Sequence, residues 1–173
     1  MLKIAIIGPE STGKSTLAAQ LAKHFGTNYI PEYSREYLKD FKGRYKIDDV
    51  VKIALGQQQR IDKAVESNPE ILIADTEMIV NKIWCKYVFH CVPEKISDLV
   101  EKQKYNLYLL CDIDLEWTYD PLRENPNLDE RKNIFNMYKE ELFLLRANYE
   151  IIHGQGQQRL HKAIDAINQQ NIS

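Results

Sequence analysis

Gly8-Pro9-Glu10-Ser11-Thr12-Gly13-Lys14-Ser15 follows a short apolar run near the start of the chain and has the form Gly-x-x-x-x-Gly-Lys-Ser, the spacing of a phosphate-binding P-loop. The residue types follow from the chemistry. Glycines let successive backbone N–H groups turn toward a β-phosphate. A helix that begins inside the loop adds its dipole and its free N–H donors. Gly8, Glu10, Ser11, Thr12 and Gly13 are therefore expected around the phosphates. Lys14 is expected to reach the β- and γ-phosphates, and Ser15 to ligate Mg²⁺. Thr16 is expected to support the helix start or approach the α-phosphate.

The motif needs a strand before it and a helix after it. Residues 3–7 form the apolar run, and residues 14–25 carry an apolar stripe of Leu17, Ala18, Leu21 and Phe25, with Gly26 as a stop. Further apolar runs occur at residues 28–30, 71–74, 106–111 and 149–152. Continuous rather than alternating runs point to strands buried on both faces. Helix-like stretches separate them: one from Asp48 or Asp49 to just before Asn68-Pro69, then residues 80–89, 94–104, 130–146 and 157–169. Strands alternating with helices argue for a parallel α/β sheet. Residues 119–129 hold Pro121, Asn125, Pro126 and Asn127, and read as an exposed loop.

The 173 residues suit a single domain spanning 1–173. With 44% hydrophobic and 28% charged residues and a formal net charge of −2, no strong field invites nucleic acid or an anionic membrane. Neither is an expected partner. Cys85, Cys91 and Cys111 are odd in number and lack C-x-x-C spacing, which argues against a disulfide framework or zinc site and fits a reducing cytoplasm. The opening apolar run meets glycine too soon for a signal peptide or membrane span.

P-loop proteins place an acidic residue at the end of another buried strand to organise Mg²⁺. Ile71-Leu72-Ile73-Ala74-Asp75 has that form, so Asp75 is the candidate metal carboxylate; the alternative is that it caps the helix behind it. Glu77 belongs to the site or to the first helical turn. A guanine-reading Asn-Lys-x-Asp is absent, since Asn81-Lys82-Ile83-Trp84 lacks the aspartate. A small kinase needs an acceptor pocket and a cationic lid. Pro31-Glu32-Tyr33-Ser34-Arg35-Glu36-Tyr37 supplies a carboxylate, a guanidinium and aromatic faces suited to a sugar hydroxyl and a flat base; the alternative is a helix start with surface charges and a core tyrosine. Trp117-Thr118-Tyr119-Asp120-Pro121-Leu122-Arg123 follows the fourth run, and Arg123 and Arg131 flank the Pro/Asn-rich loop. Guanidinium groups on a closing loop neutralise developing charge; the alternative for each is a surface ion pair.

The blocks Gly-Pro-Glu-Ser-Thr-Gly-Lys-Ser-Thr, Pro-Glu-Tyr-Ser-Arg-Glu-Tyr, Asp-Thr-Glu, and Leu-Leu-Cys-Asp-Ile-Asp-Leu-Glu-Trp with Asp-Pro-Leu-Arg resemble the ribosylnicotinamide kinase domain of NadR-type NAD-biosynthesis proteins. The similarity is collinear from Ile4 to about Gly154. It implies a three-layer P-loop fold of the nucleotide-kinase type, with a five-stranded parallel sheet and an arginine-bearing lid at about residues 119–131. It also implies transfer of a phosphoryl group from ATP to the 5′-hydroxyl of nicotinamide riboside; the alternatives are an ATP- or GTP-dependent binding module or switch on the same fold, or a kinase for another nucleoside. The chain departs from the family's usual Asp-Thr-Asp at Asp75-Thr76-Glu77, and no His-x-Gly-His signature occurs, so adenylylation is not expected.

On this reading Lys14, Asp75, Glu32, Arg123 and Arg131 are the expected catalytic residues, with Glu32 or Asp75 accepting the hydroxyl proton. Tyr33, Arg35, Glu36, Trp84, Trp117 and Asp120 are expected at the acceptor, with either tryptophan alternatively in the core. The adenine is expected near His153-Gly154-Gln155-Gly156, because base-binding loops lie at strand C-termini.

Overall fold

The computed structural model describes residues 1–170. β1 (Leu2–Ile7) occupies the centre of one five-stranded sheet. β3 (Ile71–Asp75) and β4 (Leu107–Cys111) flank it in parallel, and β2 (Tyr29–Ile30) and β5 (Tyr149–Ile152) form the edges, giving the order β2-β3-β1-β4-β5. All five expected runs are strands. Their near-continuous hydrophobicity follows from having both faces covered. Ala5 and Ile7 face the larger cluster with Val50, Ala54, Ile79 and Leu142, while Ile4 and Ile6 face the other with Leu17, Leu21 and Ile167.

α1 (Lys14–His24) and α7 (Gly156–Gln169) supply that second layer. α3 (Ile47–Glu66), α4 (Met78–Trp84), α5 (Glu94–Lys102) and α6 (Leu128–Leu144) cover the opposite face. The three-layer P-loop arrangement expected from the sequence is therefore present. Among the described residues no helix is long and apolar enough to cross a membrane.

Several boundaries differ from the sequence reading, each for a local reason. The block after β2 forms a short helix, α2 (Tyr33–Leu38). The helix expected from residue 80 starts at Met78 and widens into a π-helical turn at Cys85–Phe89. Glu77, not Asp75, caps it: both Glu77 carboxylate oxygens accept the Ile79 N–H, at 3.0 and 2.9 Å. α6 begins earlier than expected because the Asn127 side chain accepts the N–H groups of Asp129 and Glu130. The irregular lid segment is thus residues 112–127, and Arg131 lies in α6, within the helix expected from residue 130.

Register carries the functional consequence. Ile6 pairs with Asp75, and Ile7 with Leu110, so the phosphate loop leaves the sheet beside Asp75 at the C-terminal edge. A Cβ on Gly8 would lie 2.7 Å from the Cys111 carbonyl oxygen, and its φ is +136°. Only glycine passes this point.

Candidate active site

One cleft of about 720 Å³ opens at that edge. Its floor is the phosphate loop from Gly8 to Thr16. Glu32, Ser34 and Arg35 bound it after β2, and Asp120 to Asn125 of the lid cover it. Phe41, Tyr45, Trp84 and Tyr87 add an aromatic wall. Phosphate site and flat-faced pocket are therefore one continuous space.

The phosphate loop is held by its own atoms. Pro9 carbonyl oxygen accepts the Thr12 hydroxyl and the Lys14 ammonium, each at 2.7 Å. Buried Arg159, in the first turn of α7, donates to the Thr12 carbonyl at 2.8 Å and the Asp112 carbonyl at 3.2 Å. Its other nitrogen reaches Asp114 at 2.8 Å and the Gly154 carbonyl at 3.0 Å. Three strand-end loops thus meet on one guanidinium. Gly154 also donates its N–H to Asp114, so the expected base loop is tied to the phosphate loop through Arg159; Gly154 is not part of the cleft lining.

Asp75 is 1% exposed, and its Oδ1 has no hydrogen-bond partner among the described residues. Burial pushes its pKa up to about 6, against the opposing pull of the Ser15 hydroxyl; Glu32 adds to the rise and Lys14 opposes it. A buried, unpartnered carboxylate oxygen beside the P-loop serine fits a divalent cation. No cluster of three or more His, Cys, Asp or Glu side chains suited to a metal occurs among the described residues. Mg²⁺ needs only one or two carboxylates, since phosphate and water complete its shell.

Glu32 accepts the Ser34 hydroxyl at 2.7 Å and lies 3.5 Å from Arg35. Arg35 donates in turn to Asp120 at 3.0 Å, joining the β2 side of the cleft to the lid. Trp84 donates its indole N–H to Tyr45 at 2.9 Å, and the Tyr45 hydroxyl donates to Glu124 at 2.6 Å. Burial and the Glu124 carboxylate push the Tyr45 pKa upward, so it remains the donor. The Tyr45 and Trp84 rings meet edge to face at 5.0 Å. Arg123 donates to the Ser11 hydroxyl at 3.4 Å and to the Thr118 carbonyl.

Other expected residues fall outside the cleft. Tyr33 packs on α3: the Arg60 guanidinium sits 4.6 Å over its ring, and a Cβ on Gly56 would come within 2.1 Å of it. Glu36, on the outer side of α2, pairs with Arg60 at 2.6 Å. Neither lines the cleft, because α2 turns them toward its neighbouring helix. Trp117 pairs edge-on with Tyr119 at the lid root and is not part of the lining either. Arg131 is 3% exposed and donates to the Leu115 carbonyl at 3.4 Å, so it supports the lid from beneath. Among the described residues, neither Arg123 nor Arg131 forms the surface ion pair considered for it. Glu10 extends its carboxylate to the lid rather than into the loop.

Sequence reading missed Phe41, Tyr45, Tyr87 and Arg159. The three aromatics lie between the recognised blocks and acquire meaning only by packing. Arg159 carried a faint signal, as a cation in the first turn of the last helix, a position that a helix dipole disfavours.

Residues 3–159 match the AAA_28 family, described as an AAA domain. The trifunctional NAD biosynthesis/regulator protein NadR of Salmonella typhimurium (strain LT2) is 32% identical over 154 residues, which is 87% of this chain and 37% of that protein. The chain thus spans little more than a third of the length of that curated relative. A crystal structure of NadR protein in complex with NR aligns with a TM-score of 0.81 at 24% identity, over 99% of this chain and 52% of that one. Deoxyadenosine kinase from M. mycoides, with products dCMP and a flexible dCDP bound, aligns with a TM-score of 0.66 at 15% identity, over 97% and 100%. At those identities the structures establish a shared fold. A match running from the first strand into the last helix makes this chain a member of the AAA_28 family, homologous to part of NadR and built on the P-loop fold of nucleoside kinases.

Proposed function

We propose that this domain transfers the γ-phosphoryl group of ATP to the 5′-hydroxyl of nicotinamide riboside, releasing nicotinamide mononucleotide. The observation that carries the reading is the continuity of the phosphate loop with a pocket walled by Tyr45 and Trp84 and edged by Glu32, Arg35 and Asp120. A nucleotide-hydrolysing switch has no use for such a pocket. Homology to NadR and the NR-bound structural relative support the choice of acceptor.

Lys14 leaves the Pro9 carbonyl to hold the β- and γ-phosphates, with the loop N–H groups cradling them. Ser15 and Asp75 would hold Mg²⁺, which when bound neutralises charge on the phosphate oxygens. The flat ring of the acceptor lies against the Trp84–Tyr45 wall. Glu32 and Asp120 receive ribose hydroxyls, with Arg35 fixing both carboxylates. Glu32 accepts the proton of the attacking hydroxyl, because it lines the cleft whereas Asp75 is buried behind it. Arg123 faces the transferring group from the lid. In a loose transition state positioning and charge neutralisation outweigh base strength.

The test offers purified protein Mg-ATP with nicotinamide riboside and a panel of other nucleosides, and measures mononucleotide and ADP. Mononucleotide formation that disappears in Lys14→Ala is the expected result. Slow hydrolysis that no nucleoside accelerates, from folded protein that binds ATP, would refute the reading.

A further inference from the structure

Phosphate loops bind with backbone N–H groups, so an acidic side chain within one adds repulsion toward a triphosphate. Glu10 nevertheless stands in the middle of this loop. Its carboxylate accepts two consecutive lid N–H groups, that of Glu124 at 2.9 Å and that of Asn125. Ser11 beside it adopts φ 58°, a left-handed conformation unusual for serine. That turn presents its hydroxyl to the lid root, where it accepts the Thr118 N–H at 3.0 Å and donates to the Glu116 carbonyl at 3.3 Å. The same hydroxyl accepts the Arg123 guanidinium. From the other side of the cleft the Tyr45 hydroxyl holds the Glu124 carboxylate. The lid segment bearing Arg123 is thus gripped at both ends by side chains of the phosphate loop.

We propose that Glu10 is a positioning residue for the lid: its carboxylate latches Glu124 and Asn125 so that Arg123 is set against the phosphate loop. The consequence for turnover rests on the phosphoryl-transfer reading, but the latch does not. The loop that binds the phosphates also orients the cation that acts on them. A lid held in this way needs less reorganisation at the moment of transfer than a free one.

Glu10→Ala and Glu10→Gln are compared with the wild type in two ways. The first is trypsin cleavage after Arg123 in nucleotide-free protein, with the fragment identified by mass. Two hydrogen bonds to a charged acceptor on a partly exposed lid predict cleavage about tenfold faster in Glu10→Ala. Glu10→Gln, whose amide oxygen still accepts an N–H, falls between. The second is steady-state kinetics beside a direct ATP titration. The expected result is a turnover number lowered about tenfold, with ATP affinity held within about twofold. Unchanged cleavage at Arg123 in Glu10→Ala overturns the latch. A loss confined to ATP affinity overturns the positioning role, since damage to the loop itself acts that way. Should the wild type phosphorylate no nucleoside, the kinase reading fails while the protease comparison still decides the latch.

Discussion

Asp75→Asn is expected to stabilise the nucleotide-free protein at neutral pH while abolishing phosphoryl transfer. The carboxyl is 1% exposed, its Oδ1 is unpartnered, and burial raises its pKa from 3.8 to about 6. Ionising this group therefore costs more in the folded protein than in the unfolded chain. The interval between the two values corresponds to roughly 3 kcal/mol. Between pH 4 and 6 the folded state keeps a proton that the unfolded chain has released, so wild-type stability falls as pH rises through that window and levels off above it. The Asn variant has no such proton and escapes the loss. Its amide N–H₂ needs partners that Oδ1 did not, which reduces the gain to about 1–2 kcal/mol at pH 7.5. The measurement is urea unfolding of both proteins at pH 4, 5, 6 and 7.5. The stability difference should be near its minimum at pH 4, grow to pH 6 and then hold. Addition of Mg-ATP should stabilise the wild type more than the variant, because the cation needs the carboxylate. A difference independent of pH would show that Asp75 bears no ionisation cost, and equal stabilisation of both proteins by Mg-ATP would remove the case for it as the metal ligand.

Gly56 lies inside α3, where replacement by alanine ordinarily gains up to about 1 kcal/mol. Gly56→Ala should instead lower stability by about 1–3 kcal/mol, since its Cβ would meet the Tyr33 ring at 2.1 Å; thermal unfolding reads the sign. Trp84→Ala removes part of the aromatic wall of the cleft, the proposed acceptor site, and leaves the phosphate loop intact. Its KM for the nucleoside should rise about tenfold with KM for ATP unchanged, and an equal effect on both substrates would place Trp84 outside the acceptor site.

The contrast between Lys14 and Tyr33 shows what kind of information each part of the chain carries. The P-loop is a contiguous motif whose geometry is generated by neighbouring residues, so strand, loop and helix were legible together. The five strands were legible because a parallel sheet covered on both faces must be apolar without interruption. Asp75 could be read from its place at the end of such a strand. Tyr33 and Glu36 occupy a block equally rich in functional residue types, but α2 turns both onto α3. A short segment does not disclose which of its faces meets a neighbouring helix. Arg123 and Arg131 look alike as lid cations, yet capping by Asn127 draws Arg131 into a buried first helical turn.

Local chemistry and hydrophobic period were therefore enough to specify, from the chain alone, a parallel P-loop sheet, its phosphate loop and the carboxylate beside it. Tertiary structure alone decided which aromatics wall the cleft, that Arg159 ties three strand-end loops together, and that Glu10 reaches the lid. Glu10 is 114 residues from Glu124, Tyr45 is 79 from it, and Arg159 is 147 from Thr12. No local pattern encodes pairs so far apart. Their meeting depends on where the strands end in the folded sheet, and that is set by burial of the core.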